Sequence, residues 1–322
     1  MMYSRIAGTG RYLPEKVLTN FDLEKIVDTT DEWIRTRTGV ERRHCVREDE
    51  TTSDMCVEAA KRAIQKADVD VADIDLVIIG TTSPDLIFPN VATIVQHRLG
   101  IPACPAFSIE AACTGFIYAL TTADKFIKAG EAKCALVVGA ECITKLVDWT
   151  DRNTCVLFGD GAGAVILKSS EQPGIIGTHL GADGQYKELL YYPVGASKEL
   201  HKAGTDEAGI VMAGSEVFKV AVKTLGNVAS QALESAGIDQ SELDWLVPHQ
   251  ANIRIIQATA KRLGLPMEKV ILTVQDHGNT SAASVPLALD VGIRDGRIQP
   301  GQLVLMEAFG GGFTWGSVLM RL

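Results

Sequence analysis

The chain carries an internal repeat, and this repeat constrains its fold more than any other feature of the sequence. The first copy contains DIDLVIIGTTS at 73–83, a helical pattern that ends in HRLGI, and KAGEAKCALVVGAE at 128–141. The second contains ELDWLVPHQAN at 242–252, a helical pattern that ends in KRLGL, and RIQPGQLVLMEAFGG at 297–311. Matching landmarks lie about 169, 164 and 166 residues apart, in the pairs Asp75 and Asp244, Leu99 and Leu263, and Cys113 and Asn279. These three pairs of matching residues occur in the same order and at nearly the same spacing, which indicates an ancient duplication.

The repeat predicts the fold class. Each copy has a βαβα order, which favours mostly parallel strands with crossover helices on the faces of the sheet. A chain of 322 residues is also long for a single hydrophobic core. We therefore expect an α/β protein with two halves, residues 1–170 and 171–322, that are related by a pseudo-twofold axis.

The stretch IEAACTGF places Cys113 at a predicted junction between a strand and a helix. Residues 105–109 alternate in the manner of a short strand, and apolar residues after Cys113 recur at helical spacing up to Gly130. Backbone N–H groups are unpaired at a helix start and the helix dipole favours negative charge there. We therefore expect a lowered pKa for the Cys113 thiol and a reactive thiolate. The alternative is a small apolar residue that packs at the junction.

His249 and Asn279 are the second and third candidate site residues. His249 follows the apolar strand at 245–247, and Asn279 takes the position in the second copy that Cys113 takes in the first. Because sites in parallel sheets gather beyond the carboxyl ends of the strands, the duplication predicts that the three side chains converge on one pocket. The alternatives are that His249 caps a helix and that Asn279 is a turn residue.

The composition excludes several classes of protein. Seven cysteines are scattered without a CxxC pair or metal-ligand spacing, which argues against a disulfide scaffold or a zinc site. The N-terminal residues lack the apolar segment of a signal peptide, and no run of about 18 apolar residues predicts a membrane span. A net charge of −9 argues against a protein that coats nucleic acid. We expect a cytoplasmic globular protein.

Six stretches spread along the whole chain resemble motifs of the β-ketoacyl-acyl-carrier-protein synthase III family: DEWIRTRTGV, AACTGF, FGDGAGA, VPHQAN, HGNTSAAS and EAFGGGFTWG. The resemblance implies a thiolase-like fold with α-β-α-β-α layers. It also implies an acyltransferase that initiates type II fatty acid synthesis. Such an enzyme condenses a short acyl-CoA, here expected to be acetyl-CoA, with malonyl-acyl carrier protein and releases CoA and CO2. Elongating synthases resemble this chain with a second histidine in place of Asn279.

The resemblance implies a role for each catalytic residue. Cys113 takes the acyl group as a thioester, because a thiolate is both a good nucleophile and a good leaving group. His249 Nε2 and the Asn279 amide donate hydrogen bonds to the malonyl thioester oxygen, which becomes negative as CO2 leaves. The backbone N–H groups of Cys113 and Gly311 form the oxyanion hole for attack on the acyl group. No cofactor or metal is expected, since the CoA thioester is a substrate.

The resemblance also implies a CoA site. Thr29 and Glu32 form a candidate capping box at the start of a short helix that presents Trp33 and Arg37 on one face. The implied site stacks the CoA adenine between Trp33 and Arg152 and brings Arg37 to the phosphates. The residues that match the tunnel for the pantetheine arm are Gly214, Phe218 and Asn252. The alternative for this stretch is a core tryptophan flanked by solvated arginines.

Two phenylalanines match the acyl pocket of the family. Phe309 lies in EAFGGG, and Phe88 in LIFPNVA matches a position that closes the acyl pocket of the partner subunit. Phe88 therefore implies a homodimer, and its bulk favours a short acyl group such as acetyl.

Basic residues gather at helical spacing despite the negative net charge. Because carrier proteins are acidic, these residues predict a docking surface: Lys219, Arg254, Lys261 and Arg262, with Lys223 one turn from Lys219. The alternative is an ordinary solvated helix face.

Three other functions are compatible with parts of the sequence. The first is a related condensing enzyme of secondary metabolism or of long-chain acyl condensation. The second is a Cys-His thioester hydrolase, which lacks a water-activating base because Asn279 is neutral. The third is a catalytically silent binding subunit, against which the intact set of Cys113, His249 and Asn279 argues.

Overall fold

The computed structural model describes residues 2–203, 205 and 208–322 of the chain. Within these residues the strands are β1 Tyr3–Tyr12, β2 Lys16–Thr19, β3 Arg42–Cys45, β4 Leu76–Gly80, β5 Ala106–Ile109, β6 Cys134–Glu141, β7 Gly161–Ser170, β8 Ile175–Ala182, β9 Leu190–Tyr191, β10 Val211–Met212, β11 Trp245–Pro248, β12 Leu303–Gly310 and β13 Thr314–Arg321. The helices are α1 Asn20–Leu23, α2 Asp31–Thr38, α3 Thr52–Ala67, α4 Val91–Leu99, α5 Gly115–Ala129, α6 Arg152–Cys155, α7 Gly214–Ala236, α8 Ile253–Arg262, α9 Val274–His277 and α10 Ser284–Arg294.

The long strands form two mixed sheets with the same internal arrangement. The first sheet has the order β1-β7-β6-β4-β5 and the second has the order β8-β13-β12-β11. Parallel pairing is confined to β4 with β5 and β6, and to β11 with β12. The other neighbours are antiparallel, so the prediction of mostly parallel strands is wrong. The returning strands β7 and β13 cause the difference, because each reverses direction beside the strand that precedes it.

The duplication is confirmed by equivalent hydrogen bonds in the two halves. The Asp75 carboxylate accepts a hydrogen bond from the backbone N–H of Cys134 at 3.0 Å. In the second half, Asp244 accepts one from the backbone N–H of Leu303 at 2.7 Å. Both contacts join the start of a parallel strand to the start of its neighbour, so β4 and β6 correspond to β11 and β12.

The two turns before the central helices are also equivalent, and they correct one expectation. Ala112 and Ser281 both have a left-handed backbone, with φ of 46° and 49°. Their backbone N–H groups donate to the side chains of Glu110 and Asn279, each at 2.9 Å. Asn279 is therefore the counterpart of Glu110, and the expectation that it takes the position of Cys113 is wrong. The short helix α9, which precedes the second turn, obscures this register in the sequence.

The layers follow from the distribution of apolar side chains. Helices α5 and α10 lie between the two sheets, and their buried residues share one core with both. Helices α3 and α4 cover the outer face of the first sheet, and α7 and α8 cover the outer face of the second. This arrangement confirms the predicted α-β-α-β-α layers. Helix α5 also ends as predicted, at Gly130 in a left-handed conformation.

A buried carboxylate on α10 ties the second half to the first strand of the chain. Asp290 is fully buried and accepts a hydrogen bond from the Thr9 hydroxyl of β1 at 2.7 Å. It also pairs with Arg11 at 3.2 Å and with Arg294 at 2.8 Å. Charge-assisted hydrogen bonds from two arginines compensate for the cost of burying this carboxylate.

We expect Asp290→Ala to lower the free energy of unfolding by about 2–3 kcal/mol, because it removes hydrogen bonds to charged groups at the contact between the halves. Denaturant unfolding followed by circular dichroism measures this loss. The matched control is Asp295→Ala, which breaks an exposed ion pair with Arg297 and should cost less than about 1 kcal/mol. Equal losses in the two variants would contradict the proposed contribution of Asp290.

Candidate active site

A cavity of about 1100 Å³ brings together the three predicted catalytic residues, because Cys113, His249 and Asn279 all line it. Cys113 comes from the first half of the chain and the other two residues come from the second. The cavity is also lined by other residues expected from the sequence: Trp33, Arg37, Gly214, Phe218, Asn252, Phe309 and Gly311. The structure therefore brings these residues together around one cavity, and their roles in catalysis and binding remain predictions.

Cys113 lies in a single 3-10 turn, Ala112–Thr114, that precedes helix α5. Its side chain is buried, and burial raises the pKa of the thiol to about 12 although a hydrogen bond with Ser281 lowers it. The expectation of a low thiol pKa is therefore wrong. The cause is desolvation of the thiolate, which outweighs the favourable position at a helix start.

The end of β12 and the start of β13 fix the backbone at Cys113. A Cβ added to Gly310 would lie 2.6 Å from the Cys113 backbone nitrogen, so only glycine permits this close approach. The Thr314 hydroxyl donates to the carbonyl of Ala111 at 2.9 Å. Gly311, the predicted second member of the oxyanion hole, lines the cavity beside this contact.

His249 is oriented by two hydrogen bonds. Its backbone N–H donates to the carbonyl of Glu307 at 2.8 Å, and its Nδ1 lies 2.6 Å from the Ser284 hydroxyl. That hydroxyl oxygen also accepts from the backbone N–H of Gln250 at 3.4 Å. Because Ser284 engages Nδ1, Nε2 is the ring nitrogen left for a ligand. Burial lowers the pKa of His249 to about 3, so the ring is neutral at physiological pH.

Asn279 is held from both sides. Its backbone N–H donates to the carbonyl of Leu157 at 2.8 Å, and its side-chain oxygen accepts from the backbone N–H of Ser281 at 2.9 Å. Because the oxygen is used in this way, the amide NH2 group is the part of the side chain that remains for a ligand. Asn279 and His249 are therefore both uncharged groups that line the cavity.

Of the three residues predicted to hold the CoA nucleotide, Trp33 and Arg37 line the cavity, whereas Arg152 does not. The guanidinium carbons of Arg37 and Arg152 each lie 4.9 Å from the centre of the Trp33 ring. Arg152 also donates to the carbonyl of Asp28 at 2.8 Å. The Arg152 guanidinium stacks directly on the Trp33 indole. Arg152 therefore has to move away before an aromatic base can lie between the two side chains.

The predicted capping box of this helix is wrong. The N-cap of α2 is Thr30, whose hydroxyl accepts from the backbone N–H of Trp33 at 3.1 Å. Thr29 precedes the cap, and its buried hydroxyl has no partner within the described residues. The sequence TTDE offers two adjacent threonines, and the pattern alone selects the wrong one.

Asn252 links the clamp to the second half. It is the N-cap of α8, and its side-chain oxygen accepts from the backbone N–H of Arg254 at 2.8 Å. Its NH2 group donates to the carbonyl of Arg37 at 3.0 Å. This bond fixes the start of α8 against the end of α2.

The predicted docking residues lie on α7 and α8, which pack side by side. Arg254 lines the cavity and its guanidinium lies 5.6 Å from the centre of the Phe218 ring. Arg262 bonds to Asn227 of α7, and Lys219 forms an exposed ion pair with Glu216 at 3.1 Å. Lys261 is exposed on the same helix as Arg254.

Phe88 does not line the cavity of its own chain. It is 83% exposed, and its neighbours Leu86 and Ile87 are 51% and 65% exposed. The three residues form an apolar surface on the loop between β4 and α4.

Several polar residues of the site were not identified from the sequence. Glu141 ends β6 and Ser281 lies in the turn before α10, while Ser284 orients His249. Glu307 is buried with no partner for its carboxyl group within the described residues, and burial raises its pKa to about 8. Glu141 could have been identified from the sequence, because a charged residue at the carboxyl end of a predicted buried strand is typical of a functional site. No pattern marks the others.

Two features are absent from the part of the chain that the structure describes. It contains no group of three or more His, Cys, Asp and Glu side chains that could hold a metal ion. It also contains no helix with the length and apolar character needed to cross a membrane.

A duplicated fold with a cysteine at the start of one central helix defines a thiolase-like condensing enzyme. Models of the 3-oxoacyl-(acyl-carrier-protein) synthase III family match residues 107–184, and models of its C-terminal part match residues 233–322. The β-ketoacyl-(acyl-carrier-protein) synthase III of Thioalkalivibrio sulfidiphilus is 60% identical over 321 residues and all of both chains. This chain belongs to the β-ketoacyl-acyl-carrier-protein synthase III family.

Solved structures agree with this relationship. The structure of 3-oxoacyl-(acyl-carrier-protein) synthase III from Aquifex aeolicus superposes with a TM-score of 0.93 and 49% identity, covering 99% of this chain and all of the other. The priming β-ketosynthase of the R1128 polyketide biosynthetic pathway superposes with a TM-score of 0.94 and 38% identity, covering 99% of this chain and 96% of the other.

We expect Gly310→Ala to lower the free energy of unfolding by about 1–3 kcal/mol, because the added methyl group overpacks the contact with the Cys113 backbone. Denaturant unfolding measures the loss. Gly177→Ala in β8 is the matched control, since a Cβ there meets no atom within 4 Å. Its effect should stay within about 0.5 kcal/mol. A wild-type stability for Gly310→Ala would show that the contact tolerates a side chain.

Proposed function

We propose that this protein is an initiating β-ketoacyl-acyl-carrier-protein synthase. It transfers a short acyl group, with acetyl as the preferred one, from CoA to Cys113 and condenses it with malonyl-acyl carrier protein. The observation that carries this proposal is that the uncharged His249 ring and the Asn279 NH2 group line the same cavity as Cys113, where each can donate a hydrogen bond to a substrate oxygen. The names of the relatives support the same activity.

The first half-reaction places the acyl group on Cys113. The acyl-CoA thioester enters past Trp33 and Arg37, and the tunnel lined by Phe218 and Asn252 holds its pantetheine arm. The Cys113 sulfur attacks the acyl carbon, and the backbone N–H groups of Cys113 and Gly311 stabilise the oxyanion that forms. CoA leaves, and the acyl thioester of Cys113 remains.

The second half-reaction needs donors and no base. The malonyl group loses CO2, and negative charge develops on its thioester oxygen. His249 and Asn279 stabilise this charge as neutral donors, because the low pKa of His249 keeps its ring uncharged and the amide cannot ionise. The resulting carbon nucleophile attacks the acyl group on Cys113, which forms the new carbon–carbon bond and the β-ketoacyl product.

A homodimer completes this proposal. The exposed residues Leu86, Ile87 and Phe88 form an apolar surface on a single loop, and such a surface is typical of an interface. In a dimer, Phe88 closes the acyl end of the partner cavity and limits the length of the acyl group. The seven unpaired cysteines support a reducing, cytoplasmic location.

The second candidate function is a related condensing enzyme that primes a secondary metabolite. The specific observation in its favour is the likeness to the priming ketosynthase of a polyketide pathway. The identity of about 60% to curated relatives named synthase III favours the fatty acid enzyme. The acyl group that loads Cys113 distinguishes the two.

We expect acetyl-CoA to add one acetyl group to the wild-type protein, because Cys113 becomes a thioester, and to add none to Cys113→Ala. Intact-protein mass spectrometry measures the adduct, and malonyl-acyl carrier protein should discharge it. An adduct with longer acyl-CoAs alone would favour the second candidate. The absence of any adduct on the wild type would refute both.

We expect Lys261→Glu to raise the KM for malonyl-acyl carrier protein by about threefold to tenfold, because it places a negative charge on the surface proposed for an acidic partner. The rate of Cys113 acetylation by acetyl-CoA should not change. Lys66→Glu, at an exposed site on α3 in the other outer layer, is the control. Equal effects of the two charge reversals would place the docking surface elsewhere.

A further inference from the structure

Glu110 is a carboxylate on the wall of the cavity that the reaction described above does not use. It follows β5 directly, it is exposed, and it lines the cavity together with Cys113. Its Oε1 accepts a hydrogen bond from the backbone N–H of Ala112 at 2.9 Å. This bond holds the carboxylate against the turn that carries the nucleophile, and no described residue donates to Oε2.

The second half of the chain has an uncharged side chain at the equivalent position. Asn279 makes the same contact through its side-chain oxygen, which accepts from the backbone N–H of Ser281 at 2.9 Å. The atoms that remain differ between the halves, because Asn279 presents an NH2 group and Glu110 presents a negatively charged oxygen. The turn does not require this charge, since the neutral side chain of Asn279 forms the same hydrogen bond.

The charged residues that line the cavity are divided between its two halves. The cations among the described lining residues are Arg37 on α2, Lys219 on α7 and Arg254 on α8. The Asn252 side chain joins the carbonyl of Arg37 to the start of α8 at 3.0 Å, which keeps these helices together. Glu110 is the one carboxylate among the described lining residues, and it lies on the turn before α5. The negative charge is therefore placed beside the nucleophile, and the positive charges are placed on other elements.

The charge of Glu110 acts on the sulfur of Cys113. Burial is the largest cause that raises the pKa of this thiol, and Coulomb repulsion from Glu141 and Glu110 adds to it. Glu141 is fully buried and is not among the residues that line the cavity, so Glu110 is the carboxylate that faces a bound group. A negatively charged group that approaches the sulfur is repelled, whereas an uncharged group is not.

We propose that Glu110 selects the group that loads Cys113, because it excludes acyl groups that carry a carboxylate. This inference rests on the proposed function, since it takes an acyl thioester as the substrate. Acetyl and malonyl thioesters share the pantetheine arm, so contacts along the tunnel do not distinguish them. Discrimination has to come from the acyl end, where malonyl carries a negative charge and acetyl carries none. A malonyl group on Cys113 would block the nucleophile that the acetyl group needs.

The first test compares two alkylating reagents of nearly the same shape on Cys113. Iodoacetate carries a carboxylate and iodoacetamide carries a neutral amide. Because both react with the thiolate, the ratio of their rates cancels any change in the pKa of the thiol. We expect Glu110→Gln to raise the rate with iodoacetate relative to iodoacetamide by about threefold to tenfold, because Gln keeps the acceptor for Ala112 and removes the charge. Tandem mass spectrometry separates Cys113 from the other cysteines.

Two further variants separate the charge from the structure of the turn. Glu110→Asp keeps the charge, and its shorter side chain can accept from Ala112 as Asn279 accepts from Ser281, so its ratio should stay close to wild type. Glu131→Gln removes an exposed carboxylate beyond the other end of α5, about 20 Å along the helix. Its ratio should match that of the wild type.

Ionic strength gives a readout that a purely structural role would not move. Added salt screens Coulomb repulsion. The wild-type ratio should therefore approach that of Glu110→Gln as the salt concentration rises. A structural effect of the substitution would leave the difference between the two proteins unchanged. Thermal unfolding checks that each variant is folded.

The second test uses thioesters. Succinyl-CoA carries a carboxylate that is not lost as CO2, and butyryl-CoA has the same number of carbons without the charge. Intact-protein mass spectrometry measures how fast each group is added to the protein. We expect Glu110→Gln to raise the rate with succinyl-CoA relative to butyryl-CoA by at least about threefold, in line with the expected change for the alkylating reagents.

An unchanged ratio of iodoacetate to iodoacetamide in Glu110→Gln would overturn the inference, and so would an equal increase in Glu131→Gln. These outcomes are distinct from failure of the proposed function. A protein that takes acetyl from acetyl-CoA but shows an unchanged ratio would remain a synthase without this role for Glu110. A protein in which Glu110 repels iodoacetate, but which takes no acyl group from any acyl-CoA, would keep the charge barrier and lose the synthase.

Discussion

The contact between the turns that precede α5 and α10 holds the candidate site together. A Cβ on Gly139 would lie 2.3 Å from the carbonyl oxygen of Ala282, and one on Gly115 would lie 3.2 Å from the Ala282 Cβ. Gly139 lies in β6 and Gly115 begins α5, so the turn before α10 packs directly against both elements at positions where no larger residue fits. The turn with Cys113 and the turn with Ser281 therefore meet, and the candidate site is complete only when both halves are folded.

Burial at this contact also decides which groups carry charge. It keeps the His249 ring and the Cys113 thiol neutral, and it brings the pKa of Glu141 close to 7. Neutral donors suit a step in which negative charge appears on a substrate oxygen.

Much of the fold and part of the site follow from local patterns in the sequence. The repeated strand motifs predict two equivalent halves, and helical spacing from Phe116 to Ile127 places α5 correctly. The apolar run before His249 predicts the strand that carries it. These predictions succeed because side-chain periodicity and the order of elements are properties of short segments. The family motifs add Gly311, Trp33 and Asn252, which all reach the cavity.

Other properties depend on contacts between distant segments. The antiparallel strands β7 and β13, the register of Asn279 with Glu110 and the stacking of Arg152 on Trp33 have no local pattern. The same holds for the raised thiol pKa, because it depends on how much protein surrounds Cys113 rather than on its place at a helix start. The sequence by itself determined the duplicated α/β fold and the residue types of the site. Only the tertiary structure decided their protonation states and brought Ser281 of the second half against Glu141 of the first, since both depend on the packing of one half against the other.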